Sequence, residues 1–404
     1  MRRAACLLLV CLGLFACARG VNPGSSGAVE PPRHHWDRPL LPQGDPPADF
    51  ADLERSLQPE ACGACHPVQL QGWLRARHSR ATGPGLLGQT PSFGAAARAS
   101  CFSCHAPLFE QQTEVEGVDG RWSASEAFDD ELLGRGVSCA ACHVRERVTR
   151  GPAPLDGGER DMAALPHAGF EIDPLFTRSE FCAPCHQFPE GWRAFEGKLL
   201  ENTVEEWRES PQGRAGTTCQ GCHMPDRRHH FLGIHDKSTT LSAITIEGTV
   251  GPGPTEGSYS AVLSLANTGA GHHLPTYTTP RIVIDFQEVG ADGQATGPLS
   301  EPQVIQRAVV LGTEDDRELF DTRIPAGELR SFRHDARQDP RSVALRARVR
   351  VWPDFHYEGI YEDLLRGLPP GSEQAELISR ALTEARDNRY VLWTEELPLP
   401  DGTR

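Results

Sequence analysis

Five short stretches of the chain combine two cysteines and a histidine in one fixed order, Cys-x-x-Cys-His. Two thiols at this spacing can form thioethers with the vinyl groups of a porphyrin, and the adjacent imidazole then becomes an axial ligand of the iron. We therefore predict five covalently bound haem c groups, each with its iron. The predicted attachment residues are Cys62, Cys65, Cys101, Cys104, Cys139, Cys142, Cys182, Cys185, Cys219 and Cys222, and the predicted proximal ligands are His66, His105, His143, His186 and His223.

The same cysteine spacing also occurs in zinc sites and in redox-active disulfides. With 16 histidines in 404 residues, five independent cysteine pairs would all precede a histidine about once in ten million cases. The other three cysteines, Cys6, Cys11 and Cys17, lie near the N-terminus. Zinc and disulfides are therefore minor alternatives.

The second axial ligand decides whether a haem iron only transfers electrons or also binds a small molecule. The methionines are poor candidates for this second ligand, because Met1 lies in the leader and Met224 directly follows His223. We expect histidine as the sixth ligand, which gives low-spin haems of lower potential than histidine–methionine ligation. His78, twelve residues after His66 in a predicted helix, is the first candidate.

The other candidate distal ligands occur in three places. They are His167 before the fourth motif, His229, His230 and His235 after the fifth, and His272 and His273 between two predicted strands. The group after the fifth motif could serve two irons. His34 and His35 precede the first motif in a proline-rich segment, and we expect both to be solvated.

The hydrophobic pattern changes along the chain. Up to about residue 237 it predicts short helices, including one opened by a capping box from Thr203 to Glu206. Later, apolar residues alternate with arginines at 343–351, and similar strands are predicted at 241–250, 258–266, 281–289 and 304–311. Short strands at this spacing predict an immunoglobulin-like β-sandwich. Ser372 is placed to cap a final helix.

These patterns predict an α+β, multidomain fold. The predicted parts are a signal peptide with lipobox at 1–17, a flexible linker at 18–47, a mostly α and irregular pentahaem cytochrome c domain at 48–237, and an all-β sandwich with a C-terminal helix at 238–404. The apolar segment after Arg2 and Arg3 is too short to span a bilayer and resembles a signal peptide. We expect an exported protein in the periplasm or at the outer membrane or cell surface, anchored by a lipid on Cys17.

The formal net charge is −15. Haem propionates would make the loaded protein more acidic, which disfavours nucleic acid as a partner. We expect other redox proteins as electron donor and acceptor, and membrane association through the lipid.

Several stretches resemble the multihaem cytochromes grouped with the tetrahaem cytochrome c-554 of nitrifying bacteria. They are Gln71-Gly72-Trp73 with His78, Gly136-Val137-Ser138-Cys139, Ser179-Glu180-Phe181-Cys182, Glu206-Trp207 with Ser210, and Cys219 to Pro225. The resemblance covers about residues 55 to 240 and implies stacked haem pairs that pass electrons along the chain. The later part, with Gly271-His272, Pro275-Thr276 and Asp321 to Glu328, resembles the β-sandwich of such cytochromes. By this resemblance, His272 is preferred to His273, and His229 to His230. The family has four motifs where this chain has five.

The leading hypothesis is an electron carrier with six-coordinate irons rather than an enzyme, so no catalytic residue is assigned. One alternative is an oxidoreductase with one open-coordination haem that acts on a small nitrogen or sulfur compound. Against it, no motif ends in lysine and all five tyrosines lie at or beyond Tyr259. A third hypothesis is a subunit of a conducting cytochrome filament.

Overall fold

A computed structural model describes residues 35–400, apart from 37, 39, 159–160, 191, 193, 196 and 312–316. The signal peptide, Cys17 and His34 lie outside the described residues. The α-helices are α1 (Asp52–Arg55), α2 (Pro59–Cys65), α3 (Pro67–Arg75), α4 (Pro84–Gln89), α5 (Ala95–His105), α6 (Asp130–Leu133), α7 (Cys139–His143), α8 (Ala183–His186), α9 (Thr203–Glu209), α10 (Pro211–Arg214), α11 (Cys219–His223), α12 (Lys237–Ser242), α13 (Phe355–Gly367) and α14 (Glu373–Asp387).

The strands are short in the first half of the chain and long in the second. They are β1 (Glu114–Glu116), β2 (Trp122–Ala124), β3 (Val144–Arg145), β4 (Val148–Gly151), β5 (Glu171–Ile172), β6 (Ala194–Phe195), β7 (Lys198–Leu199), β8 (Ile244–Pro252), β9 (Ser258–Asn267), β10 (Arg281–Val289), β11 (Gln303–Ile305), β12 (Arg307–Val310), β13 (Arg317–Asp321), β14 (Leu329–Arg337), β15 (Ala344–Trp352) and β16 (Tyr390–Pro398). The predicted change from helices to strands is confirmed.

The chain forms two compact units that alternate along the sequence. The first runs to His186 and includes Thr217–Leu232 and Leu364–Ala381, and the second contains Gln187–Gly216, Gly233–Asp363 and the residues from Leu382 onward. All five motifs belong to the first unit. The predicted single boundary after residue 237 does not coincide with this division.

Two antiparallel sheets form the framework of the second unit. Their strand orders are β14-β9-β8 and β11-β10-β15-β16, with Leu263 opposite Phe332 and Ile284 opposite Val349. The alternation in the sequence explains this arrangement, because every second residue of β9 and β15 is buried. Side chains from both sheets form one apolar core. The immunoglobulin-like topology remains a prediction.

The first unit has smaller apolar clusters. One contains Leu40, Leu108 and Leu132 with Ala140 and Ala141 of α7, and another forms around Phe102 of α5. Because α7 and α5 carry the third and second motifs, these clusters fix the positions of both motif helices.

The final helix agrees with its prediction. Ser372 Oγ accepts a hydrogen bond of 3.2 Å from the Ala375 amide and caps α14. Ala375, Ile378, Leu382 and Ala385 are buried along one face, as their spacing predicted. Among the described residues, no helix combines the length and apolar character that a membrane crossing requires.

Candidate haem sites

Each Cys-x-x-Cys-His motif lies on a short helix or at its end. Pro59 begins α2 before the first motif, while Ser138 and Thr218 cap α7 and α11 through hydrogen bonds to backbone amides. Two cysteines three residues apart lie about one helical turn from each other, so both thiols project from the same side. The local sequence is therefore sufficient to place both thiols of a motif on the same side of its helix.

All ten motif cysteines are free thiols. Thiols from different motifs lie close enough to shift one another's pKa, in the pairs Cys62 with Cys139, Cys104 with Cys185, and Cys182 with Cys219. These contacts bring the first motif beside the third, the second beside the fourth, and the fourth beside the fifth.

Six imidazoles each make the same kind of hydrogen bond, and it fixes their tautomer. In each, Nδ1 lies 2.6 to 3.0 Å from a backbone carbonyl oxygen and must therefore carry the proton, which leaves the metal-binding lone pair on Nε2. Three are proximal histidines and three are predicted distal ligands: His105 with Ala81, His143 with Arg150, His223 with Leu232, His167 with Gly169, His229 with Arg227, and His272 with His273.

Two pairs of imidazole rings have the separation that an iron between them would require. The ring centres of His78 and His186 are 6.3 Å apart, and those of His143 and His229 are 6.1 Å apart. A metal about 2 Å from each nitrogen, with the ring centre about 1 Å beyond, gives a separation of about 6 Å. Each pair combines a proximal histidine with a predicted distal one.

Burial keeps these histidines in the neutral form that can bind a metal. Desolvation, with a smaller contribution from nearby histidines, lowers the pKa of His78 to about 3. Desolvation also lowers the pKa of His143 to about 4 and that of His229 below its usual value. The free thiols, the tautomers and the ring separations fit covalently bound haem with two imidazole ligands.

The structure places the remaining candidate ligands as follows. His235 and His272 belong to the second unit, whereas His78, His167 and His229 belong to the first. His235 Nε2 lies 2.9 Å from the Asp354 carboxylate. His167, His235 and His272 remain predicted ligands of haem irons.

The proline-rich segment before the first motif makes contacts with the motifs that the sequence did not predict. His35 is 1% exposed and its Nε2 lies 3.1 Å from the Cys142 carbonyl oxygen, so the expectation that it is solvated is wrong. Arg145 bonds to the His35 carbonyl oxygen at 2.6 Å and lies over the Trp36 ring. Arg38 Nη1 lies 3.0 Å from Cys104 Sγ, and its Nη2 lies 3.2 Å from Cys185 Sγ. The sequence does not predict that Arg38 lies beside these two cysteines.

The predicted capping box at α9 is also wrong. The helix does begin at Thr203, but its N-cap is Asn202, which makes no side-chain cap bond. Thr203 Oγ1 donates to Glu201 instead. The Glu206 carboxylate bonds to Arg323 and Thr276, because a buried guanidinium is a stronger partner than a backbone amide at the helix start.

Comparison with known proteins agrees with this chemistry. Residues 61–144 match the family model described as cytochrome c554 and c-prime. This match and the five Cys-x-x-Cys-His motifs support a multihaem c-type cytochrome with covalently bound haem c.

The fold of this chain is similar to that of a solved structure, a penta-heme cytochrome c552 from Thermochromatium tepidum. The two chains are 16% identical, with a TM-score of 0.59, and the alignment covers 86% of this chain and 100% of the other. No curated protein sequence matches the chain.

Proposed function

We propose that this cytochrome binds five haem c groups and relays electrons between them in the bacterial cell envelope, as a carrier rather than an enzyme. The number five rests on the five motifs, each with two free thiols and a histidine. Haem supplies, when bound, an iron that cycles between two oxidation states without a bond being made in a substrate.

The main support is the pairing of His78 with His186 and of His143 with His229. Each pair could supply both protein ligands of one haem iron, and an iron held in this way would favour electron transfer over substrate binding. Each pair joins residues distant in sequence, so the protein fold itself holds the rings apart at 6.3 and 6.1 Å. We infer that His167, His235 and His272 supply further distal ligands.

The contacts between motifs support a relay by hopping. The three thiol pairs place neighbouring attachment sites side by side. Cys142 also lies near enough to Cys182 and Cys185 for its charge to raise the pKa of both thiols. These influences connect the first motif through the third to the fourth, with branches to the second and the fifth.

We further propose that the protein is exported, tethered by a lipid at Cys17, and exchanges electrons with other redox proteins. The lipobox-like Leu14 to Cys17 supports the anchor. The acidic charge of −15 favours partners with basic docking surfaces.

The test is electron paramagnetic resonance and absorption spectroscopy of the oxidised, haem-loaded protein, before and after nitrite, hydroxylamine or cyanide is added. We expect only low-spin signals and no response. His78→Ala and His229→Ala should each produce one high-spin haem, with Ala substitution of the exposed Trp192 as the control. A high-spin haem in the unmodified protein that binds an added molecule would refute the carrier and favour the oxidoreductase.

A further inference from the structure

We propose that Glu206 is a positioning residue for His272, and that it keeps this imidazole in the tautomer and orientation that iron binding would require. The inference rests on the proposed assignment of His272 as a ligand. It also gives a role to the Glu206-Trp207 and Asp321-Thr322-Arg323 stretches, which the electron-relay function does not explain.

The Glu206 carboxylate is buried, with 3% of its side chain exposed. Oε1 accepts a hydrogen bond of 2.8 Å from Arg323 Nη1. Oε2 accepts hydrogen bonds from Thr276 Oγ1 at 2.5 Å and from the His273 amide at 3.2 Å. A buried carboxylate is tolerated only when such partners compensate for its lost hydration. Two of the three partners belong to the loop at 271–276 that carries His272.

The His273 peptide groups connect Glu206 to His272. The His273 amide donates to Glu206, while the His273 carbonyl oxygen accepts the hydrogen bond from His272 Nδ1 at 2.8 Å. The carboxylate therefore holds the residue that fixes the tautomer of the His272 ring. Such outer-sphere hydrogen bonds orient metal-binding histidines and raise their basicity.

Other contacts hold the same loop in place. Arg323 Nη1 donates to the Thr276 carbonyl oxygen at 2.8 Å, and the Asn267 side chain donates to the His272 carbonyl oxygen at 2.8 Å. At Gly271, a Cβ atom would lie 3.2 Å from Gln212 and 3.5 Å from Trp207, so the loop packs directly against α9 and α10. Glu206 also lies on α9. Its carboxylate and the close backbone packing at Gly271 therefore both hold the loop against this helix.

Asp285 provides a matched control within the same unit. Its side chain is fully buried, and its two oxygens bind Arg348 at 2.8 Å and Arg350 at 2.7 Å. It resembles Glu206 in burial and pairing but bonds to no residue of the 271–276 loop. A change at Asp285 measures the cost of disturbing a buried ion pair without disturbing His272.

The experiment compares haem-loaded Glu206→Gln, Asp285→Asn and His272→Ala by electron paramagnetic resonance and by the rate of cyanide binding. Arg323 keeps Asp321 as a partner at 2.9 Å in Glu206→Gln, so this variant retains a compensated guanidinium. We expect His272→Ala to convert one haem to high spin. Glu206→Gln should change the signal of that same haem and increase cyanide binding roughly tenfold. Asp285→Asn should lower the thermal midpoint with unchanged haem signals.

The outcomes separate the two hypotheses. If His272→Ala leaves every haem low-spin, the ligand assignment fails and the inference fails with it. A high-spin haem in His272→Ala together with an unchanged Glu206→Gln overturns the positioning role alone. Equal spectral changes in Glu206→Gln and Asp285→Asn would also overturn it. Should Glu206→Gln not accumulate, Thr276→Val removes one of its hydrogen bonds without a change of charge, and the same comparison applies.

Discussion

Gly136 is the residue whose replacement tests most directly how the first unit positions the proposed haem ligand His78. Its φ is +59°, and a Cβ atom there would lie 2.5 Å from the His78 carbonyl oxygen and 2.9 Å from the Ala81 nitrogen. The next residue, Val137, donates its amide to that same carbonyl at 3.0 Å. The backbone of His78 therefore rests against a position where only glycine fits.

Gly136→Ala should act through two additive causes. A left-handed backbone costs a residue other than glycine about 1–2 kcal/mol. Overpacking against backbone atoms that cannot rotate away costs about 1–3 kcal/mol more. We expect the sum, about 2–5 kcal/mol, as a loss of stability. We also expect the His78 carbonyl to move, and the imidazole opposite His186 to move with it.

The assay is the thermal midpoint of the haem-loaded protein together with its low-spin signal. Gly44→Ala is the matched control, because its φ is +70° and no atom lies within 4 Å of its Cβ position. It should show the backbone cost alone and leave the haem spectra unchanged. Equal losses in both variants, with unaltered spectra in Gly136→Ala, would show that the close approach to His78 has no consequence.

Three further variants test other parts of the chain. Ile378→Ala removes a fully buried side chain of α14 and should cost about 2–5 kcal/mol, measured as a lower thermal midpoint. Desolvation and nearby Arg145 lower the pKa of His35 from 6.5 to about 3. As the pH falls, His35 is therefore protonated in the unfolded chain before it is protonated in the folded protein, and the folded state loses stability between pH 6.5 and pH 3. His35→Gln should reduce that acid sensitivity in melts recorded across this range. Arg38→Gln removes a cation beside Cys104 and Cys185 and should lower the potentials of the haems attached there. Spectroelectrochemical titration at low salt checks this, and high salt should weaken the effect.

Much of the fold follows from local pattern. Strand β10 occupies its predicted range, and β15 begins one residue later than predicted and ends one residue beyond it. Alternation with period two predicts a strand well because it records which face is buried. Likewise Ser372 and the apolar face of α14 are local features, and both predictions are confirmed.

The failures have a common physical cause. His35 and Glu206 were interpreted from their neighbours in sequence, as a solvated residue and as part of a capping box. Their actual partners are far away, since the Cys142 carbonyl oxygen is 107 residues from His35 and Arg323 is 117 residues from Glu206. Local sequence does not reveal which distant residue will neutralise a charge. Only the fold brings such partners together.

The two histidine pairs also consist of residues that are far apart in sequence, and this affects how the chain would assemble around haem. His78 comes twelve residues after the first motif, but its ring lies beside that of His186 of the fourth; His229 follows the fifth motif, but its ring lies beside that of His143 of the third. A haem held by such a pair would join two segments that are far apart in sequence, and it would close a loop that the unloaded chain would have to close at an entropic cost. Each proposed distal ligand would thus contribute to stability as well as to the potential of its iron. Loss of one ligand should therefore loosen two motifs at once, the one that binds the iron and the one that precedes the ligand in sequence.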